Sequence, residues 1–168
     1  MLGVTLPQSV MQELYILLQS LVALLLGGLL GWERESAGKW AGLRTHMLVC
    51  LSAMMFVRVG QFLIADSQQD LDPNTLRTDP VRIIEAIVAG VAFLGAGTVF
   101  RDRDAAKMRG LTTAASLLVV APIGVAVAIE RYVLAVGATL LTLFVLRVML
   151  RFEVMMNSPR GKQMPSKD

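Results

Sequence analysis

Residues 14–32 read LYILLQSLVALLLGGLLGW, a stretch that is almost wholly apolar and carries no charge. A bilayer core about 30 Å thick is crossed by roughly 20 residues of helix rising 1.5 Å each, so this stretch is long enough to span a membrane. Four similar stretches follow, at about 45–64, 83–100, 111–129 and 132–150. The sequence therefore predicts an all-α, polytopic transmembrane bundle of about five helices.

The composition excludes most soluble classes of protein. Hydrophobic residues make up 55% of the 168 and charged residues 17%, whereas soluble domains carry roughly a quarter charged residues. The net charge of +3 lies in short clusters between apolar runs, not in the basic stripe of a nucleic-acid-binding fold, so no nucleic-acid partner is expected. We therefore predict that the apolar surface of the protein faces the lipid bilayer.

The residues that usually carry chemistry are scarce. Cys50 and His46 are the only cysteine and histidine, which excludes an intrachain disulfide and leaves few ligands for a metal ion. A G-x-S-x-G nucleophile elbow and a phosphate-binding P-loop are both missing. We predict a protein that is not an enzyme and that holds neither a metal nor a cofactor.

The lysines and arginines between the stretches predict the orientation. Eleven lie in the first loop, the third loop and the tail: Arg34, Lys39, Arg44, Arg101, Arg103, Lys107, Arg109, Arg151, Arg160, Lys162 and Lys167. The opposite side has three: Arg77, Arg82 and Arg131. Since cytoplasmic loops are the positive ones, we expect the N-terminus outside and the C-terminus in the cytoplasm. Residues 1–156 would form the transmembrane domain, and 157–168 a disordered cytoplasmic tail.

The first loop carries both signs of charge. One interpretation is an interfacial anchor, with Trp32 and Trp40 at the lipid headgroups. The alternative is a fixed polar binding cluster at the inner mouth of the bundle, formed by Glu33, Arg34, Arg44 and Thr45.

The third loop resembles the first. The run from Arg109 through Gly110-Leu111 to Thr113 leads into the fourth stretch as Gly42-Leu43-Arg44-Thr45 leads into the second, which adds Arg109 and Thr113 to the candidate binding residues. Each unit has a descending helix, a charged loop and an ascending helix. This pattern favours two parallel two-helix repeats followed by a fifth helix.

Two charged residues fall within or near the membrane core. Arg58 interrupts the second stretch and Glu85 lies near the start of the third. Because charges in hydrocarbon usually pair or face a cavity, adjacent antiparallel helices allow these two to form a buried ion pair, or each to snorkel outward. An ion path through Glu85 is the alternative.

Small residues predict close helix packing. Gly27 and Gly31 form a G-x-x-x-G step, and similar faces occur on the third and fourth stretches: Ala86, Gly90 and Gly97, and Ala121, Gly124 and Ala128. Packing within the chain is the preferred interpretation. A homodimer through these faces is the alternative.

Four blocks of sequence resemble the MgtC/SapB family of bacterial membrane proteins. They are Gly31-Trp-Glu-Arg34, Ala41-Gly-Leu-Arg-Thr-His-Met-Leu-Val49, Gly90-Val-Ala-Phe-Leu-Gly-Ala-Gly97, and Arg109-Gly-Leu-Thr-Thr-Ala-Ala115 followed by Ile123-Gly124. The blocks occur in family order over about residues 20–130. We expect a protein without the soluble C-terminal regulatory domain of many relatives. The sequence also differs from the family pattern at Arg58, Ala92 and Pro122.

The resemblance implies a bacterial inner-membrane protein that serves adaptation to low magnesium or ionic stress and, in pathogens, virulence. It also implies regulation of a membrane-protein partner, such as the proton-translocating ATP synthase. A transporter or channel for magnesium or another cation is the alternative function, and a purely structural subunit is a third.

Overall fold

A computed structural model of the chain describes residues 7–70, 79–101 and 108–156. Its five helices are α1 (Gln8–Ser36), α2 (Leu43–Asp70), α3 (Pro80–Gly97), α4 (Leu111–Ala128) and α5 (Tyr132–Met156). The predicted all-α bundle is confirmed. Four of the helices, α1 to α4, are long and apolar enough to cross a membrane, and the apolar part of α5, Tyr132–Val148, is shorter.

The third connection differs from the prediction, because α3 ends at Gly97 instead of continuing to Phe100. Thr98 turns its hydroxyl back to the Gly95 carbonyl at 2.7 Å. Two short strands follow, β1 (Phe100–Arg101) and β2 (Met108–Arg109), and they pair antiparallel. Gly110 then adopts a φ of +90° at the start of α4, a conformation that favours glycine.

The centre of the bundle is α4, which packs against each of the other four helices. It has ten buried residues, whereas α3 has three: Ile87, Val91 and Gly95. The helix continues through Pro122, as expected where neighbouring helices can satisfy the freed backbone groups. Thus α1, α2 and α4 form the core, and α3 lies at the edge.

Close approach between helices depends on glycine. A Cβ at Gly31 would lie 2.6 Å from the Leu43 Cα, and one at Gly124 would collide with the Cys50 carbonyl oxygen. Gly27 meets Cys50 while Gly31 meets Leu43, so α1 runs antiparallel to α2. His46 meets Ser116 while Cys50 meets Gly124, so α2 runs parallel to α4. The small residues predicted to pack on α1 and α4 therefore pack inside the chain.

The small residues of α3 differ. Gly90 and Gly97 are exposed, and a Cβ at either would meet nothing within 4 Å. The predicted internal packing does not hold for this face. This face of α3 is exposed on the outside of the bundle.

The two predicted repeats have an equivalent contact. Gly27 on α1 faces His46 on α2, and Gly95 on α3 faces Ala114 on α4. Both pairs are related by the same shift along the chain that relates Gly42 to Gly110. The contact agrees with a duplicated pair of helices.

Large apolar side chains cover the outer surface. Phe93 is 81% exposed and Val133 90%, and many leucines of α1 and α5 are more than half exposed. Such an apolar surface would be unfavourable in water at about 25 cal/mol per Å², whereas hydrocarbon solvates it well. Lipid is the environment in which this arrangement is stable.

Candidate functional site

A buried ion pair lies at the end of the bundle that carries the first and third connections, here called the basic end. The Arg34 side chain is 1% exposed and that of Glu33 6%. Nη2 of Arg34 donates to Oε1 of Glu33 at 2.7 Å, and Nε donates to the second carboxylate oxygen. A charged pair this deeply buried is stable only because both partners are present.

His46 extends this polar group to α4. The imidazole is fully buried in the first turns of α2, where Nδ1 lies 3.0 Å from the Gly42 carbonyl oxygen and Nε2 lies 3.0 Å from Oγ of Ser116. The Ser116 hydroxyl in turn lies 2.8 Å from the carbonyl oxygen of Thr113. Glu33 and Arg34 are close enough to His46 to interact electrostatically. We call Glu33, Arg34, His46, Thr113 and Ser116 the buried polar network.

The candidate residues predicted from sequence divide into two groups. Glu33, Arg34 and Thr113 are buried at the basic end. Arg44, Thr45 and Arg109 are exposed. Instead of one cluster with Glu33 and Arg34, the structure has a buried network and a separate set of surface residues.

Reasoning from the sequence missed His46 and Ser116 as network members. The signal for His46 was its spacing along α2, since it shares a helix face with the buried Val49, Cys50 and Ala53. A histidine on that face needs polar partners from other helices. Those partners are not visible in a single sequence.

The exposed Arg44 and Thr45 line the end of an open groove between α2 and α3. The groove encloses about 540 Å³. Its other walls are almost entirely apolar: Leu48, Val49, Ser52, Ala53, Phe56, Ala86, Ile87, Gly90, Val91 and Leu94. We call it the α2–α3 groove. Ala86 and Gly90 are the small residues that α3 contributes to its wall.

The tryptophans agree with the anchoring interpretation of the first loop. Trp32 is 69% exposed and Trp40 is 77% exposed. Trp40 also packs edge-to-face on Phe100, with 5.4 Å between ring centroids, so it joins the first connection to the third. Oε2 of Glu35 accepts from the backbone N–H of Leu43 at 2.8 Å and caps the start of α2.

At the opposite end of the bundle, Arg58 has three hydrogen-bond partners, and Glu85 is not one of them. Nε donates to Oε1 of Gln19 at 2.7 Å, Nη1 to Oε1 of Gln61 at 3.0 Å, and Nη2 to Oε1 of Glu130 at 2.9 Å. Of the two arrangements considered, the ion pair between Arg58 and Glu85 does not form. Glu85 lies exposed on α3, away from the interfaces that the other four helices make with one another.

Gln19 connects Arg58 to a pair of tyrosines. Its amide nitrogen donates to the Tyr132 hydroxyl at 2.9 Å, and that hydroxyl lies 3.0 Å from the hydroxyl of Tyr15. The chain of hydrogen bonds joins α1, α2 and the turn between α4 and α5. Within the described ranges, no three His, Cys, Asp or Glu side chains converge as a metal site.

The apolar outer surface and the buried charges define a multi-spanning helical membrane protein. The sequence matches the profile of the MgtC family over residues 21–155, and the chain belongs to that family. No solved structure matches it.

Curated relatives support the same assignment. The "Putative magnesium transporter YhiD" of Escherichia coli (strain K12) is 36% identical over 132 residues, which cover 79% of this chain and 59% of that protein. "Protein MgtC" of Brucella abortus (strain 2308) is 41% identical over 103 residues, 61% of this chain and 38% of the relative. "Protein MgtC" of Salmonella typhimurium (strain LT2) is 38% identical over 127 residues, with 76% and 49% covered. The alignments thus span about two fifths to three fifths of these relatives.

Proposed function

We propose that this MgtC-family protein acts without catalysis, by binding a second membrane protein within the bilayer, and that it serves adaptation to low magnesium. The observation that carries the proposal is the α2–α3 groove. It faces outward, and Gly90 leaves room for a helix of another protein to approach the α3 backbone. In lipid, helices associate through van der Waals packing at such small-residue faces.

The polar residues of the groove favour a partner that has a polar group at the same end of the membrane. Arg44 and Thr45 line the groove at the basic end, and the rest of the lining is largely apolar. A transmembrane helix that has an acidic or hydrogen-bonding residue at that end fits both parts. The proton-translocating ATP synthase, suggested by the resemblance to the family, is the first partner to test.

Crosslinking in native membranes tests the proposal. A photoreactive phenylalanine analogue replaces Phe56 or Leu94, which line the groove from α2 and α3, or Phe144 on α5 as the matched control. All three side chains are more than half exposed. We expect one specific adduct from positions 56 and 94 and none from position 144, with the partner identified by mass spectrometry. Equal labelling from all three positions would contradict partner binding in the α2–α3 groove. An adduct of twice the chain's mass would mean that the partner is a second copy of the chain.

A growth assay connects the groove to function. Gly90→Leu fills the groove, while Gly137→Leu adds the same side chain to α5, where a Cβ would also meet nothing within 4 Å. We expect Gly90→Leu to lose complementation of growth at low magnesium, and Gly137→Leu to retain it at equal membrane levels. Complementation by both variants would argue against a functional role of the α2–α3 groove.

Cation transport is the second candidate function. It is favoured by the relative from Escherichia coli, whose name describes a magnesium transporter. Magnesium flux into proteoliposomes of the purified protein distinguishes the two candidates. Flux that Glu85→Gln abolishes would support transport through the α3 carboxylate, and its absence alongside a specific crosslink would support regulation.

We also propose the bacterial inner membrane as the location, with the N-terminus outside and the C-terminus in the cytoplasm. The basic end carries Arg34, Lys39, Arg44, Arg101 and Arg109 within the described residues. Cytoplasmic ends of membrane proteins are rich in lysine and arginine.

A further inference from the structure

His46 is the only histidine of the chain, and its imidazole is fully buried between α1, α2 and α4. The charged groups that face it are Glu33 and Arg34 of α1. The buried thiol of Cys50 lies one turn further along α2. α4 has no charged residue, and the charged residues of α3 are Arg82 and Glu85 at its opposite end. Arg44 of α2 and Arg147 of α5 are exposed, and α5 also carries Arg151 and Glu153 in its last two turns. Ionisable residues inside a membrane bundle are usually functional.

The hydrogen bonds around His46 limit its protonation state. A carbonyl oxygen only accepts, so Nδ1 must carry the hydrogen of the bond to Gly42. The Ser116 hydroxyl has one hydrogen but two neighbours that could receive it: Nε2 of His46 at 3.0 Å and the Thr113 carbonyl oxygen at 2.8 Å. The direction of the Ser116 hydroxyl therefore depends on whether Nε2 carries a hydrogen.

Two arrangements satisfy these conditions. When His46 is neutral, Nε2 has a lone pair, the Ser116 hydroxyl donates to it, and the Thr113 carbonyl loses its bond from Ser116. When Nε2 also carries a hydrogen, the imidazolium donates to Oγ of Ser116, and the hydroxyl hydrogen turns to the Thr113 carbonyl. Only the second arrangement makes all three hydrogen bonds at once.

We infer that His46 is a buried proton-binding site, in which Ser116 reverses its hydrogen bond when the proton arrives. A hydronium ion of the aqueous phase gives one proton to Nε2, so an N–H bond forms as an O–H bond of the hydronium ion breaks and water is released. The hydrogen bond from Ser116 to Nε2 is replaced by one from Nε2 to Ser116 and one from Ser116 to the Thr113 carbonyl oxygen. The imidazolium then stands beside the Glu33–Arg34 pair, which it attracts through Glu33 and repels through Arg34. Protonation of His46 on α2 therefore changes the electrostatic interactions of α1 and the hydrogen bonds of α4. The inference is independent of the proposed partner.

Nitrogen NMR of the full chain in lipid nanodiscs tests the site. Because the chain has a single histidine, ¹⁵N-histidine labelling gives the signals of His46 alone. At high pH we expect a neutral ring with hydrogen on Nδ1, although a free histidine side chain in water favours the Nε2–H form. As the pH falls, both nitrogens should become protonated in one reversible transition. An Nε2–H tautomer at high pH, or a ring that does not titrate while the protein stays folded, would overturn the inference.

Variants of the acceptor test the role of Ser116. In Ser116→Ala the imidazolium loses its acceptor, so half-protonation should move to lower pH by about one unit or more, since bonds to charged groups are the stronger ones. Ser116→Thr keeps a hydroxyl and should titrate near the wild type. Thr139→Ala removes a buried hydroxyl that bonds within α5 and is the control, for which no shift is expected.

Identical titration of Ser116→Ala and the wild type would refute the coupling. If Ser116→Ala does not fold, the tautomer of the wild type still decides the question. The Nδ1–H form follows from the bond to Gly42 alone, and a neutral ring without it rules out the site.

Discussion

Arg58 donates from Nη2 to Oε1 of Glu130 at 2.9 Å, which connects the middle of α2 to the turn between α4 and α5. Glu130 adopts a φ of +63°, unusual for a residue with a side chain, and its carboxylate is 53% exposed. Arg58 itself is 16% exposed and has two further bonds, to Gln19 and Gln61. The arginine is thus the centre of the polar contacts at this end.

Because Arg58 has more partners and is more buried than Glu130, replacing Arg58 should destabilise the protein more than replacing Glu130. Arg58→Ala should destabilise the protein by about 1–3 kcal/mol, because Gln19 loses its partner in a part-buried site. Glu130→Gln should cost less than about 1 kcal/mol, since exposed ion pairs contribute little. Unfolding in detergent micelles measures both, with the exposed Glu85→Gln as the control. An equal loss for the two variants would mean that the ion pair itself dominates.

Because Glu33 and Arg34 form a buried ion pair, the effect of removing one charge on stability should depend on whether the other is present. Glu33→Gln or Arg34→Gln alone leaves a buried charge without its counter-ion, and should cost roughly 3–5 kcal/mol. The double variant should recover part of that loss. Thermal unfolding of the three variants forms a double-mutant cycle, and strictly additive losses would contradict the pairing.

Glycine packing predicts a position-specific effect of one methyl group. Gly124→Ala places a Cβ against the Cys50 carbonyl and should destabilise the α2–α4 interface by about 1–3 kcal/mol. Gly97→Ala meets nothing within 4 Å and should be close to neutral. Melting temperatures of the two variants check this difference, which would vanish if α2 and α4 were not in contact.

The proposed orientation predicts one-sided labelling. Cysteine introduced at the exposed Lys39 should react with a membrane-impermeant maleimide only after the membrane is opened. Cysteine introduced at the exposed Gln8, at the other end of α1, should react in intact cells. The native Cys50 is buried and should contribute no signal. The reverse pattern of labelling would invert the topology.

The helices themselves follow from the sequence. Each apolar stretch must form a helix in hydrocarbon because its backbone groups have no water to bond, and this requirement acts on each segment independently of the others. The five helices were therefore predictable from their apolar stretches alone. The glycines of α1 and α4 were also recognisable as packing residues, since close approach depends on small size alone.

The end of α3 was less predictable. Val99 and Phe100 are apolar and continue the hydrophobic stretch, so hydropathy gives no signal to stop at Gly97. The helix ends there while Phe100 pairs with Arg109 in a strand. Such pairing depends on a residue outside the segment.

The choice of polar partners was decided only by the tertiary structure. Arg58 has a carboxylate on the next helix in sequence, Glu85, yet it pairs with Glu130 because α2 packs alongside α4 and its Arg58 faces the α4–α5 turn. His46 meets Ser116 for the same reason. Solvation by lipid is a property of one segment and can be read from its residues, whereas a hydrogen bond between helices requires their relative placement and rotation, which no single segment specifies.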